Sequence, residues 1–250
     1  MIYTKNIPDV YNLIEYDIVD STMITLKELV KEGAKVGTIV SAKKQYNGRG
    51  RHGRKWISPE GNLYFSFLRQ AENKKFKNVF APVFITAVAL AETISLISKK
   101  KILPILKWPN DVLINNSKVA GILIESFNNN GSDLLNIGVG INIKSNPTNT
   151  IYSATNLYNE NIEVPREVVL NFFFNCLYAT EQIFLSQGIK EIFRLWLSYS
   201  YKVGTKIGVK IGENRIEGSF NGLDSDGSLL LVKDSGEELT ILTGDIFYYD

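Results

Sequence analysis

The chain has 250 residues, 44% hydrophobic and 22% charged, with 28 Lys+Arg against 26 Asp+Glu. This balance excludes the disordered and collagen-like classes, and a formal net charge of +2 makes no global case for nucleic acid or an anionic membrane, so an anion site has to be a local cluster. The single cysteine, Cys176, cannot form an intrachain disulfide and reads as a small buried hydrophobe among Phe172, Phe173, Phe174 and Leu177, in keeping with a reducing cytosol.

The opening Met1-Ile2-Tyr3-Thr4-Lys5-Asn6-Ile7-Pro8-Asp9 has no basic segment followed by an apolar core, so no secretory signal or transit peptide is expected and the protein is expected to be cytoplasmic. Residues 21–32 predict a helix capped by Ser21 or Asp20, with Ile24, Leu26, Leu29 and Val30 as an imperfect apolar face. Strands are predicted over 38–42, 62–68, 118–125 and 134–143, the last rich in glycine as if something packs or binds close to its backbone. The apolar run 79–97 raises the question of a membrane span, but Pro82, Glu92 and Thr93 make it a buried core helix, with Lys99, Lys100 and Lys101 set to complement its C-terminal dipole. Helices are predicted over 165–184 and 189–199. The first 200 residues are thus α+β, a mixed or antiparallel sheet with helices covering one face.

After Tyr201 the texture changes to short strand-like runs over 206–211, 215–223, 228–232 and 237–242, separated by turn residues. This predicts a small all-β barrel, giving units 1–201 and 202–250.

The sharpest feature is the run 43–56, which holds Lys43, Lys44, Arg49, Arg51, Arg54 and Lys55, no acid, and Gly48, Gly50 and Gly53. Glycines let the backbone approach a ligand, and Arg matches carboxylate or phosphate oxygens two at a time. Gly48-x-Gly50-x-x-Gly53 formally fits a dinucleotide fingerprint, but no helix opens after it; as a P-loop it lacks the Lys and hydroxyl that must follow. A solvated or RNA-tracking basic loop stays open on these residues alone. A second feature is Lys107-Trp108-Pro109-Asn110-Asp111, where two strands flank a polar turn, followed by Lys118 at the head of an apolar strand. A lysine there is usually a solvated gatekeeper, whereas partial desolvation would strengthen its pull on a bound anion.

Asp20-Ser21-Thr22, Gln45-x-x-Gly48-Arg49-Gly50-Arg51-His52-Gly53-Arg54-Lys55-Trp56, the Lys107–Asp111 segment, Lys118-Val119-Ala120-Gly121-Ile122-Leu123 and Gly138-x-Gly140-Ile141-Asn142, in that order, closely resemble the biotin protein ligases, also called biotin–[acetyl-CoA-carboxylase] ligases. The resemblance spans almost the whole chain. It implies a class II synthetase-like biotin/lipoate ligase fold with an SH3-like C-terminal β-barrel. It also implies formation of biotinyl-5′-AMP from biotin and ATP with magnesium, then transfer to a lysine of a biotin carboxyl carrier protein or domain.

By the same resemblance, Ser21, Thr22 and Gln45 hydrogen-bond the ureido ring of biotin, with Met23 beside them, and the backbone around Arg49, Gly50 and Arg51 closes over it. Lys118 contacts both the biotin carboxyl group and the adenylate phosphate, and Arg49, Arg51 and Lys118 together neutralise the two reacting anions. Arg54, Trp56, Asn110 and Asn142 fall to the nucleotide side. Asp111 helps deprotonate or orient the carrier lysine, or holds magnesium. The glycine-rich loop serves as a lid that keeps the acyl-adenylate from water.

Two departures stand out. The family often has Asn where this chain has Met23, so one polar contact to biotin is lost or replaced by thioether packing. The chain also begins almost directly at the catalytic domain, so the helix-turn-helix of bifunctional members, and with it specific DNA binding, is not expected. A lipoate or octanoate ligase is the alternative enzyme, and a nucleic-acid-binding module built on the Arg-Gly loop the alternative of another class. The 134–143 strand reads equally as a sheet edge that pairs between subunits of a homodimer or as an internal strand. The sequence leaves open whether the C-terminal unit binds ATP, binds the carrier or stabilises the fold.

Overall fold

The computed structural model describes residues 6–71, 81–148, 150 and 152–248. The elements run β1 (Asn12–Val19), α1 (Thr22–Lys31), β2 (Thr38–Gln45), β3 (Leu63–Gln70), α2 (Ala81–Ile97), β4 (Ile105–Lys107), β5 (Asp111–Ile114), β6 (Ser117–Asn129), β7 (Ser132–Ile141), α3 (Arg166–Gln187) and α4 (Ile189–Tyr199). The five strands β8 (Lys206–Ile211), β9 (Asn214–Leu223), β10 (Leu229–Val232), β11 (Glu238–Ile241) and β12 (Asp245–Tyr248) follow. The first seven strands form one sheet in the order β1-β2-β3-β7-β6-β5-β4, with β1 and β2 parallel and the other pairs antiparallel. The last five make a second, antiparallel sheet, β11-β10-β9-β8-β12.

Strand alternation sorts the large sheet into two faces. Leu63, Phe65 and Phe67 of β3 and Ile137, Val139 and Ile141 of β7 join the main core, where Phe173 and Phe174 of α3 pack tilted against Phe65 and edge-on against Phe67. Val40, Leu68 and Leu134 point the other way and meet Leu26 and Val30 of α1. The helices therefore cover both faces, and the expectation of one covered face is corrected: α1 is a short helix whose narrow apolar side, Leu26 and Val30, suffices to cap the second face.

Strand β7 pairs with β3 on one side and β6 on the other. Its place inside the sheet closes the edge-pairing route to a dimer. The unforeseen β1 takes one edge of the sheet, where half its residues are exposed. Helix α2 is buried along most of its length; Val79 and Phe80, and Met1 to Lys5 of the opening stretch, lie outside the described residues. The three lysines follow its last turn, with Lys99 and Lys100 at positive φ closing the helix. α3 is long and apolar enough to cross a membrane, but Phe173, Phe174, Cys176 and Leu177 lie buried in the core. The small sheet packs on the large unit: Trp108 Nε1 donates to the Gly227 carbonyl at 3.0 Å, and Ile207, Phe220 and Leu229 join the main core.

Candidate active site

On the α1 face of β6 and β7 the side chains shrink to Gly121, Gly138 and Gly140, leaving a cavity of about 260 Å³. The glycines are needed for space. A Cβ on Gly140 would lie 2.4 Å from the Trp56 indole, and one on Gly138 would lie 2.8 Å from Met23 Sδ. The glycine floor anticipated for the 134–143 strand is therefore a close approach by these two side chains. Trp56 spans the floor with its Nε1 buried and without a hydrogen-bond partner.

At one end of the cavity, Ser21 precedes α1 as its N-cap residue, makes no side-chain cap bond and lines the cavity. The Thr22 N–H donates to Gln45 Oε1 at 2.8 Å, Gln45 Nε2 donates to Ser58 Oγ at 2.9 Å, and the Thr22 and Ser66 hydroxyls bond at 2.7 Å. Ser21, Thr22, Met23 and Gln45 together line this part of the cavity. Met23 is buried, and its carbonyl accepts from Asn136 Nδ2 at 2.7 Å.

The basic loop folds back on itself. Arg49 bridges Lys55, the Gly50 N–H donates to the Arg54 carbonyl at 2.7 Å and the Trp56 N–H to the Gly48 carbonyl at 2.9 Å, around a 3-10 turn at Arg51–Gly53. Arg51 Nη1 donates to Asn110 Oδ1 at 3.2 Å, to the Gly244 carbonyl at 3.3 Å and to Asp245 Oδ1 at 3.4 Å, while Arg54 pairs with the other Asp245 oxygen. Burial pulls the Arg51 guanidinium below its ordinary value, against the opposing pull of Asp245 and Asp111. Arg49 lines the cavity but pairs with Glu125 of β6 at 3.0 Å, and Lys27 of α1 holds the second Glu125 oxygen at 2.6 Å. In this arrangement Arg51, Arg54 and Lys118 form the cation set at the far end, with Arg49 tied to β6.

Lys118 Nζ meets Asp111 Oδ1 at 2.5 Å and stands 5.2 Å from the Trp56 ring. Its backbone is zipped to the segment after β7: the Lys118 N–H donates to Ser153 at 2.8 Å and the Thr155 N–H to the Lys118 carbonyl at 2.9 Å. Asn142 lines the cavity, but its amide nitrogen bonds the Thr155 carbonyl at 3.0 Å, while Asn110 Nδ2 bonds the Ile122 carbonyl at 2.6 Å. Both amides brace the walls. Sequence reading missed Tyr152 and Asp245, which reach the cavity only through long-range folding, and Glu125, which pairs with Arg49 from the far part of β6.

Among the described residues no group of three or more His, Cys, Asp and Glu side chains forms a cation cage. Magnesium is usually held by one or two carboxylates together with substrate phosphates. The cavity supplies two, Asp111 and Asp245, so this donor set fits a magnesium ion carried in on a nucleotide.

A cavity with amide and hydroxyl groups at one end and three cations at the other is what a ligase that activates a carboxylate requires. The chain belongs to the biotin/lipoate A/B protein ligase family, whose model matches residues 16–142, and residues 206–249 match the biotin protein ligase C-terminal domain. It is 31% identical over 233 residues to the bifunctional ligase/repressor BirA of Bacillus subtilis, covering 90% of this chain and 70% of that one. To the biotin–[acetyl-CoA-carboxylase] ligase of Paracoccus denitrificans it is 30% identical over 216 residues, covering 84% of this chain and 89% of the relative. The biotin protein ligase of Aquifex aeolicus in complex with biotin and ATP superposes with a TM-score of 0.80 at 33% identity, covering 94% of this chain and 97% of that one.

Proposed function

We propose that this chain joins biotin to ATP as biotinyl-5′-AMP with release of pyrophosphate. It then passes the biotinyl group to a lysine of a biotin carboxyl carrier protein or domain, releasing AMP. The observation that supports this reading is that Ser21, Thr22 and Gln45 line the same cavity as Arg51, Arg54 and Lys118. Polar groups at the first end replace water around the ureido ring, and the packed indole of Trp56 keeps the site dry.

In the first step a biotin carboxylate oxygen bonds the α-phosphorus and the bond to pyrophosphate breaks. Two anions approach each other, and Lys118, standing between the cavity floor and Asp111, neutralises both; Arg51 and Arg54 face the departing phosphates. Magnesium, when bound, offsets further phosphate charge. In the second step the carrier amine attacks the acyl carbon and AMP leaves; Asp111 accepts the amine's proton or orients it. Asn110 and Asn142 keep the nucleotide-side walls in place.

The biotin ligases among the relatives disfavour the lipoate or octanoate alternative. Pairing of the loop's arginines with Asp245 and Glu125 disfavours a nucleic-acid module, because those charges already have carboxylate partners within the chain. We place the activity in the cytoplasm, with 1–201 as the catalytic unit, 202–250 as the C-terminal unit and a carboxylase as the acceptor, as the name of the Paracoccus relative suggests. Operator DNA is not part of this reading, and a homodimer would have to use a surface other than β7, which light scattering with and without biotin tests.

The deciding experiment is biotin-dependent exchange of labelled pyrophosphate into ATP. Exchange that requires biotin, is not supported by lipoate and falls about a hundredfold or more in Lys118→Ala is the expected result. Exchange with lipoate alone moves the chain to the sister activity, and none with either refutes the reading.

A further inference from the structure

Lys107, outside the cavity lining, is buried at 7% exposure although it carries an ammonium group. It ends β4 and sits directly across the β4–β5 pair from Asp111. Its Nζ lies 4.2 Å from the centroid of the Tyr152 ring, a cation-on-ring contact, and Tyr152 lines the cavity. Lys107 thus neighbours the two structures that flank Lys118: Asp111, its partner across the β4–β5 pair, on one side and, through Tyr152, residues 153–155, zipped to the Lys118 backbone, on the other. Burial pulls the Lys107 ammonium down, and the charge of Asp111 holds it up.

A buried ammonium is costly and persists where a neighbouring charge needs it. Asp111 already has Lys118 at 2.5 Å, and its Oδ1 is shut away from solvent. Substrate anions have to draw Lys118 away from Asp111. That leaves the Asp111 carboxylate, 19% exposed and with Oδ1 shut away from solvent, unpaired, which is unfavourable without a second cation. Lys107 supplies that cation from behind, so Lys118 can turn to the substrate while Asp111 stays charged and fixed.

We propose that Lys107 is a positioning residue that acts as standing counter-ion to Asp111, releasing Lys118 for the reacting anions while its contact with Tyr152 fixes the adjoining wall. The proposal rests on the role of Lys118 given above. It is tested by the kinetics of biotin-dependent pyrophosphate exchange in the full chain for Lys107→Met, Lys107→Arg, Tyr152→Leu and Tyr152→Phe. Lys107→Met should lower kcat about ten- to a hundredfold, the loss expected when a reacting group is misplaced, with the KM for biotin changed by less than about threefold. Lys107→Arg, which keeps charge and ring contact, should restore most of that loss. Should Lys107→Met fail to fold, Tyr152→Leu probes the same contact from the cavity side, and Tyr152→Phe, which keeps the ring, should recover activity relative to it. An active wild type with an unchanged kcat in Lys107→Met overturns the inference alone, as does a loss that Lys107→Arg does not rescue. A wild type without exchange removes the Lys118 assignment and this inference together.

Discussion

Asp245, at the start of the last strand of the small sheet, holds Arg51 of the basic loop with one carboxylate oxygen at 3.4 Å, and pairs with Arg54 through the other. The C-terminal sheet therefore clamps a loop that lines the cavity. All three side chains keep some solvent access, so the pairs contribute little to global stability, about 1 kcal/mol or less. Their effect is on the loop. On the function proposed above, an incoming triphosphate would compete with Asp245 for the same guanidinium groups. Asp245→Ala should therefore speed trypsin cleavage after Arg51 and Arg54 in the ligand-free chain, while biotin with ATP brings mutant and wild type to similar protection. Equal cleavage of both ligand-free chains would show that Asp245 does not restrain the loop.

Trp56 and Gly140 make a prediction of the opposite kind, in which one methyl group is too many. With a Cβ at 2.4 Å from the indole, Gly140→Ala must push Trp56 off the floor. Biotin-dependent exchange is expected to drop about a hundredfold, the scale set by misplacement near the reacting atoms. The tryptophan fluorescence change on adding biotin should shrink with it. Retained exchange would mean that the ring finds another seat without cost.

These two contacts also mark what was legible in the sequence. Ser21, Thr22, Gln45, Lys118 and the glycine-rich strand stand in short local motifs, so their types and spacing expose them. Asp245 carries no such mark, because its role arises from the packing of the small sheet against a loop far away in sequence. β1 was missed because Asn12-Leu13-Ile14-Glu15-Tyr16-Asp17-Ile18-Val19 has no strict alternation; as an edge strand it is half exposed and buries neither face fully. The extension of β6 to Asn129 was missed for a similar reason: Ser126 and Asn128 are exposed polar residues, yet their backbone pairs with β7.

Met23 tests the departure from the family's usual asparagine. Its sulfur rests against Gly138 and its side chain is buried, so the lost polar contact is replaced by packing. Met23→Ala should cost about 2–5 kcal/mol in denaturant unfolding, the range for a buried Met truncated to Ala, and should weaken biotin binding in calorimetry. Loss of stability with unchanged biotin affinity would assign Met23 to the fold alone.

Glu181 on α3 gives the pH test. Its carboxylate pairs with Arg69 and accepts from the Tyr11 hydroxyl at 3.1 Å, yet burial outweighs these contacts and holds the Glu181 carboxyl above its ordinary range. A raised folded-state value means the native chain binds this proton more tightly than the unfolded chain. The stability this group contributes is fully present below the ordinary Glu range and is lost as pH rises through the folded value. Glu181→Gln, neutral at every pH, removes that dependence. The stability difference between Glu181→Gln and wild type should therefore move in favour of the mutant as pH rises from about 4 to about 7, across and above the ordinary Glu value. Denaturant midpoints measured in parallel on the two chains report this difference, because the other carboxylates cancel in the comparison. A difference that moves in favour of wild type over the same interval would mean that the Arg69 pair outweighs burial.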